Sequence, residues 1–410
     1  MRLVSVDVEA KGKITRLVGK VERRAPSPSA FEVSFEFTVS DEPFAASAKA
    51  DAFAAAMLMP CMQSGEPLHI VPPISPRLLF NLPRIRDIFH TWWPHLARVS
   101  ITAESVTTCN PSRPKRAGTF FSGGVDSFYS LLKYKSDAGA LPTPLSHLIF
   151  MKGIENKLEW GRGVGETESW IRDVASSAGV SCIIGETNIR TSLQGAEVYN
   201  PDWERYYFGS DLAGVSLALS SFMAYVCIPS AFDYNHLVAH GSTPLVDEMY
   251  STESTHILHD GSECSRANKV AKIVKYDCNL VLNYLRVCHM NYGGAFNCGQ
   301  CPKCVRTAVP LQILGLFDRA KTFQNKSFDH WAELMAEDHR HLTEDNLKFA
   351  LEHDADKELI SMIKWALRYH DRRERSSNRR QMLRKALEKS PIGPLLPTFR
   401  NIKNMVERTS

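Results

Sequence analysis

The sequence lacks long hydrophobic runs. Its longest apolar stretch, residues 52–62, is too short to span a membrane and is interrupted by Pro60, so no membrane is expected among its partners. Internal repeats and low-complexity tracts are also missing, which excludes solenoid and fibrous architectures. The opening residues, MRLVSVDVEA, alternate as a strand does and include Asp7 and Glu9. They do not resemble a secretory or mitochondrial leader, so a cytoplasmic protein is expected. Ten cysteines without a leader argue against a disulfide framework.

Charge is nearly balanced, at +4 over 410 residues, but unevenly placed. Residues 361–410 hold 13 Lys/Arg against 4 Asp/Glu, leaving about −5 for the remainder. Such a tail suits nucleic acid, an acidic partner, or simply a solvated helical face. No aromatic residues are interleaved as a base-stacking pattern would require. With 44% apolar and 23% charged residues, the chain is globular in composition and long enough for two or three domains.

Residues 1–112 read as an α+β domain. Val4, Val6 and Val8 alternate with polar residues, as do Phe31, Val33, Phe35, Phe37 and Val39, which predicts half-buried strands. Residues 45–59 predict a helix, 99–103 a strand, and 110–118 a linker. From 113 to 318 the pattern changes to strands at 118–122, 146–152, 180–187 and 223–229, separated by helices at 125–136, 166–178 and 208–221. That alternation predicts an α/β domain with a parallel sheet and ligands outside the carboxyl ends of its strands. Residues 319–410 read as a helical, basic region.

Within 119–132, TFFSGGVDSFYSLL, a strand runs through a glycine turn into a helix. Backbone N–H groups at such a helix start converge on one point and bind phosphate. Gly123 and Gly124 allow close approach, Ser122 and Ser127 offer hydroxyls, and Asp126 can hold Mg²⁺. No lysine occupies the position that a Walker loop uses for γ-phosphate transfer. The loop therefore suits β- and γ-phosphates departing together as pyrophosphate.

Cys288, Cys298, Cys301 and Cys304 follow as C-x9-C-x2-C-x2-C. Four thiolates at this spacing can close a tetrahedral Zn²⁺ site with no open position, which would brace a loop instead of activating water. The C-x2-C-x2-C portion also suits part of an iron–sulfur run.

The six residues SGGVDS, after a strand and before a helix, match the signature of the PP-loop ATP pyrophosphatases, and the resemblance covers roughly residues 115–310. It implies a Rossmann-like sheet of the adenine nucleotide alpha hydrolase type. It further implies ATP cut between its α- and β-phosphates to adenylate a substrate, which a nucleophile then attacks with release of AMP. On that resemblance, Ser122, Gly123, Gly124, Val125, Asp126 and Ser127 hold phosphate, with Asp126 and Ser127 as the catalytic pair. Adenine would lie against backbone near Phe150, Met151 and Lys152. Arg190 suits either phosphate or a salt bridge. Ser242, Asp247 and Glu253 suit substrate contacts or ordinary turns. Arg266 and Lys269, near a predicted helix cap at Ser265, suit an anion site or a surface helix start.

The loop followed by the cysteine cluster and VRT (305–307) resembles the 7-cyano-7-deazaguanine synthase (QueC) group. Members convert a 7-carboxy-7-deazaguanine into a nitrile with ammonia and ATP, through acyl-adenylate and amide stages, and carry a four-cysteine zinc motif. Larger proteins of this kind, the QatC-like ones, occur in anti-phage defence cassettes, where partner proteins and a macromolecular acceptor are implied. The expectation is an ATP-dependent C–N ligase using ATP, Mg²⁺ and Zn²⁺. Two alternatives stand beside it: a PP-loop tRNA sulfurtransferase, and a nucleotide-binding subunit of a defence complex that splits no ATP.

Overall fold

The computed structural model describes residues 1–24, 29–39, 44–107, 116–137, 139–154, 164–192, 203–288, 290 and 296–388, without the side chains of 164, 165, 204, 374 and 377–388. Ten strands form one sheet. Its first part is an antiparallel meander of β1 (Arg2–Lys11), β2 (Ile14–Arg23) and β3 (Ser29–Val39). In β3, Val33, Phe35, Phe37 and Val39 are fully buried and their neighbours are not, which is the period of a strand with one face on the core. Burying each phenylalanine contributes roughly 2–3 kcal/mol. Beyond β1 the sheet continues with β4 (Leu68–Ile70) and β5 (Ile101–Ala103), both parallel to it.

Helix α1 (Asp51–Ser64) starts six residues later than propensity predicts. The apolar stretch that looked longest is this helix, and Ala52 to Met62 are all buried. Asp51 turns inward at its start and accepts a hydrogen bond from Ser75 N at 2.7 Å. Helix α2 (Pro76–Trp92) follows, capped by Ser75.

The second part of the sheet is parallel: β6 (Ala117–Phe120), β7 (Leu145–Lys152), β8 (Ser181–Thr187), β9 (Tyr225–Pro229) and β10 (His256–Asp260). β6, β7 and β8 are buried almost throughout, as strands covered on both faces are. Helices α3 (Val125–Ser136) and α4 (Val164–Ala178) cover one face; after short turns α5 (Ile189–Ser192) and α6 (Trp203–Tyr206), helix α7 (Phe208–Ala218) covers the other. The spatial order is β10-β9-β6-β7-β8, so β6 lies where the chain reverses its direction of travel across the sheet. Ligands of doubly wound sheets bind outside the carboxyl edge at that reversal, and the loop quoted above leaves β6 there.

β3 pairs antiparallel with β8, from Phe35 opposite Thr187 to Val39 opposite Ile183. The boundary drawn at residue 112 thus separates two halves of one continuous sheet, and residues of both halves share one hydrophobic core. Of the expected linker, 110–118, residues 110–115 lie outside the described residues. The chain continues with α8 (Arg266–Tyr284), α9 (Pro302–Ile313), α10 (Trp331–Glu337), α11 (Arg340–Glu352) and α12 (Lys357–Glu388). Residues 319–388 are largely helical as expected; 389–410, with the rest of the basic tail, lie outside the described residues. Among the described residues no helix is long and apolar enough to cross a membrane.

Candidate functional site

The loop after β6 is set by its glycines. Gly123 has φ +81°, and a Cβ there would stand 2.0 Å from the ring of Trp170. Trp170 lies between Phe121 and Phe296, with centroids 6.1 and 5.7 Å away, so it closes over the backbone where no side chain intervenes. Arg286 N donates to Gly123 O at 2.8 Å and pins the turn from below. Gly124, extended at φ −73°, is the N-cap of α3.

The sequence-predicted residues of this loop take distinct places. Ser122 is exposed, Val125 is buried in the core, and Ser127 donates its hydroxyl hydrogen bond back to Gly124 O at 3.0 Å. Asp126 faces two cations: Arg266 Nη1 at 2.7 Å and Lys269 Nζ at 2.9 Å, both from the first turn of α8. Burial by itself would raise the Asp126 carboxyl, but Lys269 and Arg266 outweigh it and hold it down at about 2. Lys269 is buried and also donates to Ser230 O at 2.6 Å. The charge that a Walker lysine would bring from within the loop arrives here from a helix some 140 residues downstream.

A third cation stands nearby. Arg306 on α9 contacts Asp338 Oδ2 at 3.0 Å, and burial, with Arg266 close by, lowers its guanidinium to about 10. Two buried nitrogens around the loop lack a hydrogen-bond partner among the described residues, Arg266 Nε and Trp170 Nε1; Arg306 Nε is the atom that faces Asp338. The start of α8 is itself occupied, since Ala267 N donates to Asp345 Oδ2 of α11 at 2.7 Å. Sequence reasoning missed Arg306, Asp338, Asp345 and Trp170. VRT marked the position of Arg306 without indicating what it would face.

The other expected contacts are dispersed. Phe150 and Met151 point into the two opposite cores, so only their backbone could meet a base. Lys152 pairs with Glu168 at 2.9 Å and Glu186 at 3.0 Å. Arg190 donates to Ile154 O at 2.7 Å and lies over the Trp203 ring, 4.2 Å from its centroid. Glu253 caps α2, accepting from Ser75 Oγ at 2.7 Å and Arg77 N at 3.0 Å. Ser242 donates to Asp247 Oδ2 at 2.6 Å, and the same oxygen meets His259 Nδ1 at 2.7 Å.

The cysteines come together. Cys288, Cys298, Cys301 and Cys304 are buried, with their sulfurs all within 4.8 Å of one another. The Cys288–Cys298, Cys288–Cys301 and Cys298–Cys304 sulfur separations are 3.4, 3.8 and 3.9 Å. A tetrahedron with Zn–S bonds of about 2.3 Å has edges of about 3.8 Å, so the cluster can hold a metal ion such as zinc. Asn297 supports it, accepting from the backbone N–H of Val287 and Cys288 through Oδ1. The segment carrying Cys288 also carries Arg286, which pins Gly123.

Compared with protein-family models, with curated proteins and with solved structures, the chain matches none.

Proposed function

We propose that this chain is a QueC-like member of the PP-loop ATP pyrophosphatases: an ATP-dependent ligase that adenylates a carboxylate and joins it to ammonia or an amine. The observation that carries the reading is the meeting of Asp126, Arg266 and Lys269 at the N-terminus of α3, beside the glycine turn. The loop supplies N–H donors, while Arg266 and Lys269 supply positive charge where a leaving pyrophosphate gathers negative charge. In the first half-reaction a carboxylate oxygen of the acceptor bonds to the α-phosphorus, and the bond to the β-phosphate oxygen breaks. In the second, the nitrogen attacks the acyl carbon, loses a proton, and AMP leaves.

Mg²⁺ bound with ATP would neutralise phosphate charge, and Asp126 is the carboxylate of the loop that would face it. Asp126 pairs with both Arg266 and Lys269, so the carboxylate that would hold the metal stands beside the two cations that would face phosphate. Zinc in the four-cysteine cluster would brace the loop through Arg286 and take no part in the chemistry. The acceptor would be a 7-carboxy-7-deazaguanine or, in a defence setting with partner proteins, a macromolecular carboxylate.

The test is product analysis after incubation with ATP, Mg²⁺, ammonium and 7-carboxy-7-deazaguanine. The expected result is AMP together with an amide or nitrile base, falling at least about 100-fold in Asp126→Asn. ADP in place of AMP, or equal AMP from Asp126→Asn, would overturn the reading.

A further inference from the structure

Helix α12 is held to the body of the protein along only part of its length. Leu359, Ile363 and Ala366 are buried on its inner face. His370 Nε2 meets Met335 O at 3.2 Å, and Asp371 pairs with Arg340 of α11. Beyond these contacts Arg372, Arg373, Arg375 and Ser376 are exposed, while the helical backbone continues to Glu388. Residues 372–376 include no apolar side chain that could tie this stretch to a core.

The outer side of the helix carries the charge excess of the chain. Lys364, Arg368, Arg372 and Arg375 recur at i, i+4, i+8 and i+11, which makes one stripe of a helix, and all four are exposed. Asp371, the nearest described acid on the helix, is already taken by Arg340. Cations one turn apart, about 6 Å along the axis, suit a chain of phosphates.

The aromatic residues missing from the linear pattern are supplied by the helix. Trp365 and Tyr369, one turn apart, lie on the stripe adjoining the cations and are 40% and 44% exposed. Their rings are nearly parallel, with 21° between the planes and 6.0 Å between centroids. Charge alone suits any polyanion. Exposed parallel rings beside it select one whose repeating units are flat and free to stack. The bases of a duplex are already stacked within it, so only unpaired ones can use the rings.

We infer that the outer face of α12 binds single-stranded nucleic acid, with Lys364, Arg368, Arg372 and Arg375 on phosphates and Trp365 and Tyr369 against bases. The inference stands apart from the ligase reading, since it uses neither ATP nor the loop after β6.

The test is binding of the whole protein, without ATP, to a labelled thymidine oligonucleotide, followed by fluorescence anisotropy and by indole emission. Four phosphate contacts predict a slope of about −3 for log affinity against log salt, a loss of roughly 50-fold between about 50 and 200 mM. Arg368→Gln combined with Arg372→Gln should halve that slope. Trp365→Ala should weaken binding at least about fivefold and leave the slope unchanged. Trp365→Phe, which keeps a ring, should keep most of the affinity and lose the quenching of emission that stacking produces. Both aromatic positions are exposed, and far-ultraviolet circular dichroism checks that α12 persists in each variant. Equal affinity for heparin and duplex without quenching would reduce the face to a general polyanion patch and overturn the inference. Binding to phosphatidylserine vesicles in place of the oligonucleotide would overturn it in favour of a membrane surface. No binding at low salt would leave only a solvated helix face and overturn it outright. Because the assay holds no ATP, its failure leaves the ligase reading untouched, and the absence of AMP formation leaves this face untouched.

Discussion

Two regions of the carboxyl edge are unsatisfied in opposite senses. Around the loop after β6 the buried atoms without a hydrogen-bond partner among the described residues are nitrogens, on Arg266 and Trp170. Against α7 they are oxygens, on Asp211, Thr243, Asp247 and Tyr250. Burial acts on both carboxyls in the same direction, but neighbours decide the outcome. Asp126 has two cations in contact and is held down at about 2; Asp211 has none in contact among the described residues and rises to about 7. The buried atoms left over on the first side are N–H donors and those on the second are oxygens.

The comparison breaks most heavily at the cysteines, because they brace one side only. Cys298→Ser should abolish stoichiometric metal binding, measured by elemental analysis. It should also remove several of the roughly 10–16 kcal/mol that a structural zinc site supplies. Hydrogen exchange should quicken at Gly123–Phe128, which Arg286 no longer pins, and stay unchanged at Asp247–Tyr250. Equal loosening of both regions would show that they are not independent.

Acidity gives the next largest effect, with opposite signs. Asp211 is raised from 3.8, so between about pH 4 and 7 the folded state holds more protons than the unfolded state. Stability therefore falls as pH rises through that window, by on the order of 4 kcal/mol. Asp126 is lowered from 3.8, so its contribution is present above about pH 4 and is lost as pH falls toward 2, about 2 kcal/mol in all. Urea midpoints across pH for Asp211→Asn and Asp126→Asn should each lose one limb of this profile. If one variant flattens both limbs, the two carboxyls titrate as one system.

The two glycines sharpen the nitrogen side further. Gly123→Ala meets both a positive φ and the Trp170 ring, and should cost about 1–3 kcal/mol with loss of AMP formation. Gly124→Ala has an allowed φ, and its new methyl would stand 3.5 Å from Ser122 Oγ, so a change under about 1 kcal/mol is expected. Thermal unfolding and product assays on the pair separate backbone strain from general crowding.

The parallel half of the fold was legible because its strands and helices are long and follow each other closely. Helix α3 occupies 125–136 as the pattern predicts, and the cysteines gather as their spacing suggests. β10 was missed because HILHD is short and broken by histidines. The start of α1 was misplaced because Ala45, Ala46, Ala48 and Ala50 favour a helix by propensity, while the helix begins at Asp51. The partners of Asp126 could only be listed as candidates. Nothing local to the loop states that α8 will come to rest beside it, or that Asp345 will hold the start of that helix. Nor could the pattern show that β3 would close against β8, since both look like interior strands by themselves.

That last pairing has a consequence in time. The meander β1–β3 leaves the ribosome first, and the edge of β3 finds its partner only once residues 181–187 have been made. At about 5–20 residues per second, translation leaves that edge open for roughly 7–30 s. An apolar strand exposed for so long is a template for pairing with other chains. Nascent copies would therefore meet their greatest risk of aggregation while the parallel half of the sheet is still being synthesised.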